Sequence, residues 1–167
     1  MANVKRVCIL SIVIIIALSS GALGASSILQ QPLQASVASG SMMNVLSSAI
    51  TIAPSQAELE TGYVEKTGPS GIPIRISTNN KNGVTVKISC KDGSPQISLQ
   101  DLFLRCTAPG SKMTSWTPIT DADQPLFSSS EKLKNYTIYA EVRIQNLWNY
   151  SGGQSYTNSL TLTLVDN

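Results

Sequence analysis

The chain predicts an all-β fold, an antiparallel sandwich of about seven to nine short strands in two sheets. Three observations carry this. Apolar and polar residues alternate in run after run, as in "GIPIRIST" (71–78), "VTVKISC" (84–90) and "SLTLTLV" (159–165). A period of two sends one face to a core and the other to water. Turn chemistry separates the runs: "NNKNG" (79–83), "KDGSP" (91–95) and "NYSGGQ" (149–154) are rich in residues that enter positive φ at little cost. Finally, no segment keeps a helical apolar period for more than two turns.

The N-terminus reads differently. Lys5 and Arg6 precede an apolar run from Val7 to Leu18, followed by the small residues of "SSGALGA". A basic start, an apolar stretch of about a dozen residues and a small-residue cleavage region make residues 1–25 a secretory signal peptide. The alternative is a retained membrane anchor, for which the run is short against the roughly 20 residues a span needs. Cleavage leaves 26–167, enough for one domain with a full core. The 12 basic residues fall to ten with Lys5 and Arg6 gone, matching the ten acidic ones. A neutral chain without a basic cluster excludes nucleic acid as a partner and, after cleavage, gives no electrostatic reason to sit on a membrane.

Residues 26–44, "SSILQQPLQASVASGSMMN", are uncharged and rich in Ser, Gln and Ala, and read as an extended leader before a β-sandwich domain at 45–167. Within them Leu33, Ala35 and Val37 alternate with Gln34 and Ser36, a weak strand pattern. They are candidates for a donor strand, one that adds to the sheet of a neighbouring copy. A linker, or a strand packed on its own domain, is the alternative.

Inside the domain, "LSSAITI" (46–52) is the first expected strand. Ile72, Ile74 and Ile76 then form one apolar face, and Val84, Val86, Ile88 and Cys90 another. With the Asn/Gly turn between them, 71–78 and 84–90 read as a hairpin. After Ile97 and Leu99 the apolar register slips to Leu102 and Leu104, which demands a corner near Gln100–Asp101. The stretch 106–135 reads as loop, with short edge pieces around Trp116 and Phe127. "YTIYAEVRIQNLW" (136–148) and the closing Leu/Thr strand read as a terminal hairpin. That strand completes the sheet, with Leu160, Leu162 and Leu164 inward and its threonines on a solvated face. Glu58, Glu60 and Glu65 read as a polar strand edge that discourages stray pairing.

Two cysteines remain after signal cleavage, Cys90 and Cys106. In an exported domain they read as one disulfide, which closes a loop of about 15 residues and stabilises by about 3 kcal/mol; two buried thiols are the alternative.

No catalytic apparatus emerges. The chain has no histidine, so it lacks the usual general base near neutral pH and the middle member of a Ser-His-Asp set. Two cysteines without histidine do not complete a zinc shell, and no glycine-rich phosphate loop opens a helix. The expectation is no catalytic residue, no metal and no cofactor. Asp121 and Asp123 in "TDADQ" are the one carboxylate pair suited to a hard cation or a glycan, and read more simply as a solvated loop. "NYT" at Asn135 and "NYS" at Asn149 match the N-glycosylation acceptor. Trp116, Trp148 and Tyr150 are candidates for stacking on sugars, against the plainer reading of packing.

The stretches "TNNKNGVTVKIS", "ISLQDLFLR", "WTPI" and "QPLF", with "YAEVRIQ" before the closing "YTNSLTLTLV", are similar to secreted immunoglobulin-like β-sandwich proteins of prokaryotic cell surfaces. These include WxL-type wall-associated domains and spore-coat-U-like, pilin-like proteins. The resemblance spans most of 45–167 and implies an immunoglobulin-like sandwich with a structural or adhesive role outside the cell. The leading expectation is a non-catalytic secreted protein that forms homo-oligomers by strand addition. The second is a monomeric module that binds a cell-surface polysaccharide.

Overall fold

The computed structural model describes residues 8–17, 34–37, 40–47, 49–91, 97–150 and 154–167. Their strands are β1 (Cys8–Ala17), β2 (Gln34–Val37), β3 (Ser41–Val45), β4 (Tyr63–Lys66), β5 (Ile72–Thr78), β6 (Val84–Lys91), β7 (Leu102–Arg105), β8 (Thr117–Pro118), β9 (Gln124–Ser129), β10 (Leu133–Gln145) and β11 (Ser155–Asp166). One sheet has the order β1-β11-β6-β9. The other runs β2-β3-β5-β10-β7-β8, with β4 also on β10. All the pairings are antiparallel, and nine of the strands begin at Ser41 or later. The all-β sandwich is what the alternation demands.

The core is the sum of the inward faces. Ile72, Ile74 and Ile76 of β5, Val84, Val86 and Ile88 of β6, Ile138, Val142 and Ile144 of β10 and Leu160, Leu162 and Leu164 of β11 are all buried in one cluster. Each such side chain contributes about 1.5–3 kcal/mol by leaving water.

The two expected hairpins are crossovers instead. β5 pairs with β3 and β10 while β6 pairs with β11 and β9, so the turn at 79–83 carries the chain from one sheet to the other. β10 and β11 are parted in the same way. A hairpin and a crossover bury the same alternate residues, so periodicity does not distinguish them. Packing of the turn does: Gly83 takes φ +76°, and a β-carbon there would lie 2.0 Å from the Ser129 carbonyl oxygen at the end of β9.

Part of the stretch 26–44, read as an extended leader, is strand. Ser41–Val45 is a paired strand, running from Ser41 opposite Thr78 to Val45 opposite Ile74, with Met43 buried. Ile50 and Ile52 still enter the core, but from outside the strand expected at 46–52. The acids Glu58 and Glu60 belong to a one-and-a-half-turn helix, α1 (Gln56–Thr61), and not to a strand edge. Ser55 caps it: its Oγ accepts from the Glu58 N–H and the Glu58 carboxylate accepts from the Ser55 N–H, a reciprocal capping box. Glu65 does lie on a strand, β4.

The expected corner is present. The Asp101 N–H closes on the Ser98 carbonyl at 2.9 Å, and β7 begins at the next residue. The threonine face of β11 is not solvated, however: Thr161 and Thr163 are 6% and 3% exposed. β11 is an interior strand of its sheet, flanked by β1 and β6.

Candidate functional site

Two features of this sandwich bear on what it could do. The first is the outer side of β11. Ten consecutive residues of β11 pair with β1, from Cys8 opposite Leu164 to Ala17 opposite Ser155. The strand that fills this edge is therefore "CILSIVIIIA", the apolar run that the sequence assigns to the export signal. In the other sheet, with β2 near β1, β2 pairs with β3, with Ala35 opposite Met43 and Val37 opposite Ser41. Of the donor-strand candidates, Ala35 and Val37 thus lie on a strand next to their own domain, and Leu33 lies outside the described residues. The turn from β2 into β3 includes Gly40 at φ +80°, where a β-carbon would lie 2.1 Å from the Asn79 side chain.

The second feature is a polar and aromatic ladder on the outer face of the β10 sheet. The Arg105 guanidinium lies 4.4 Å from the Trp116 ring centre and that of Arg143 4.5 Å; Arg143 is also 5.1 Å from the Tyr63 ring. Each arginine has a carboxylate. Arg143 pairs with Glu65, its cross-strand neighbour on β4. Arg105 pairs with Glu141 at 2.6 Å, its neighbour on β10. Glu141 is 5% exposed, and its second oxygen accepts the Gly68 N–H at 3.0 Å. β4 and β5 lie end to end along β10, and Glu141 satisfies the main chain at the break between them.

The three sugar-stacking candidates have three different settings, and no ring contact joins them among the described residues. Trp116 is engaged by two guanidiniums. Tyr150 is a structural tie: its hydroxyl donates to Asp101 at 2.6 Å and accepts from the Ser98 N–H, and its ring meets Tyr156 edge-on. Burial first, and then the bond to Asp101, holds the Tyr150 hydroxyl well above the ordinary tyrosine range. Trp148 alone stands open, 74% exposed in the 3-10 turn Leu147–Asn149.

The expected disulfide is not formed. Cys90 and Cys106 are both buried without an S–S bond. Cys90 is on β6, opposite Leu160, and Cys106 follows β7 in the other sheet. Each sulfur has its own polar neighbour: Ser111 Oγ donates to Cys106 at 3.0 Å, and Asn158 Nδ2 lies 3.7 Å from Cys90. Asp121 and Asp123 are exposed, and Asp123 accepts from Ser89 Oγ at 3.2 Å. No group of three or more potential metal ligands gathers among the described residues.

Sequence reasoning missed the polar knot at the corner. Asp101, mostly buried, accepts from Asn146 Nδ2 and the Tyr150 hydroxyl, both at 2.6 Å. Its signal was a single acid in the register slip. No family model, curated protein or solved structure matches this chain.

Proposed function

We propose that the chain is a non-catalytic, secreted structural subunit that self-assembles on or outside the cell surface, the N-terminal segment of one copy adding as a strand to the β11 edge of the next. The observation that carries this is the ten-residue pairing of β1 with β11, formed by the segment read as an export signal. Removing residues 1–25 takes β1 away and leaves a long strand edge without its partner. Such an edge is a template for another chain unless something covers it. The inward side of β11, Leu160, Leu162 and Leu164, asks for an apolar strand, and the leader supplies Leu33, Ala35 and Val37 at alternate positions. Main-chain bonds then give affinity and the alternate side chains give specificity. For a leader to reach a neighbour it must leave its place on β3, opening at the Gly40 turn.

A sugar-binding module is less favoured, because Trp116 and Tyr150 already have intramolecular partners.

The test is deletion of residues 26–36 from the 26–167 chain. Assembly, followed by light scattering and electron microscopy, is lost, while the circular dichroism of a folded β-protein remains. Assembly undiminished by the deletion overturns the reading.

A further inference from the structure

β1 covers the very edge of β11 on which assembly depends. All of its residues, Cys8–Ala17, pair with β11. By register Leu10, Ile12, Ile14 and Ile16 stand opposite Leu162, Leu160, Asn158 and Tyr156, and those four β11 residues are buried. β6, the other neighbour of β11, reaches only Ser159–Asp166. Among the described residues, Ser155–Asn158 therefore have β1 as their one strand partner. β1 also approaches β2 of the other sheet, so it closes the sandwich on this side.

The leader is the weaker occupant of that place while β1 is present. Its alternating run is Leu33, Ala35 and Val37, with Gln34 and Ser36 between, whereas Ser11 is the one hydrophilic residue of "CILSIVIIIA". Tethering widens the difference. A strand on the same chain acts at an effective concentration of about a millimolar, and a neighbour's leader acts only at the concentration of the protein. At micromolar protein the tethered strand is favoured by about a thousand-fold, before any difference in contacts is counted.

We propose that β1 is an intramolecular plug: the uncut chain blocks its own assembly edge, and removal of the signal, the hydrolysis of one peptide bond, opens it. The inference rests on the export and assembly readings above and adds their order, because copies join only after the signal is cut. Before the cut, the edge that templates a neighbour is paired within the chain. After it, β1 loses its tether and with it the advantage over the leaders of other copies.

Three chains at equal concentration test this: 1–167, 26–167, and 1–167 carrying Ile12→Pro and Ile15→Pro. Each is diluted from urea and followed by light scattering. Positions 12 and 15 have opposite parity along the strand, so one of the two lost N–H groups faces β11. The expected result is assembly of 26–167 and of the proline variant, with 1–167 slower by at least about tenfold. Ile12→Val with Ile15→Val, which keeps the strand, stays as slow as 1–167. Equal rates for 1–167 and 26–167 overturn the inference and leave the assembly reading standing. A 26–167 chain that never assembles overturns both. Amide hydrogen exchange reads the plug directly: Ser155–Asn158 exchange slowly in 1–167 and fast in 37–167, which lacks the signal and residues 26–36. Equal exchange in those two chains refutes the plug.

Discussion

Asn158 holds Ile97 by both of its main-chain groups. Its Oδ1 accepts the Ile97 N–H at 2.8 Å and its Nδ2 donates to the Ile97 carbonyl at 2.9 Å. From the inward face of β11, at 1% exposure, the side chain thus imitates a strand and fixes the segment that enters the corner before β7. Asn158→Leu keeps the volume and orphans two buried peptide groups, each costing about 1–3 kcal/mol. Urea unfolding of the variant should show a loss of about 2–5 kcal/mol; a loss under 1 kcal/mol would mean the corner is held by other contacts.

Tyr150 gives the protein an alkaline limit. The folded chain keeps its hydroxyl protonated where the unfolded chain, at the ordinary value of 10.0, has lost the proton. The stabilisation is complete below that unfolded value and is lost as pH rises through the raised folded one. Tyr150→Phe removes a hydrogen bond to a carboxylate and should cost about 1.5–3 kcal/mol at neutral pH. The deficit shrinks above about pH 10. Melting temperatures of the two proteins from pH 7 to 11 check this; parallel curves throughout would exclude it.

These two ties mark where the sequence stops being legible. Alternation identifies the apolar core residues of β5, β6, β10 and β11, because inward and outward positions obey a period of two, but not the polar residues buried on the other face, such as Thr161, Thr163 and Glu141. It says nothing of which strand lies alongside, so 71–78 with 84–90 and 136–148 with the closing strand look like hairpins and are crossovers. The capping box of Ser55 and Glu58 is written in the sequence as S-x-x-E, yet α1 is too short for an apolar period to announce it. The roles of Asp101 and Asn158 depend on partners 45 and 61 residues away, and no local pattern encodes such contacts. Of the candidate site residues, Trp148 keeps the exposure expected of a contact residue, whereas Trp116 and Tyr150 are taken up by the fold.

Trp116 makes its contribution through Arg105 and Arg143. Each guanidinium over a ring adds about 0.5–1 kcal/mol at a partly exposed site, so Trp116→Ala should lower stability by about 1–2 kcal/mol and leave Trp148 emission unchanged. Glu141→Gln acts at the other end of the ladder, weakening the tie that spans the break between β4 and β5, and should cost about 1–3 kcal/mol. A double variant whose loss falls clearly short of the sum of the single losses would show the two ends act as one network; strict additivity would separate them.

Cys90 and Cys106 should react with iodoacetamide slowly in the native protein, because both are buried. Unfolding in guanidinium without reductant should add two labels to the 26–167 chain. Mass spectrometry distinguishes this from a disulfide, which would leave both sulfurs unlabelled until reduced.

The central claim is that copies join by a strand laid on β11, a contact of many main-chain hydrogen bonds around an apolar face. Native extracellular material, loaded on an SDS gel with and without boiling, tests it most directly. The account predicts a ladder of multimers in the unheated lane that collapses to one band on boiling. A single monomer band in both lanes would contradict it.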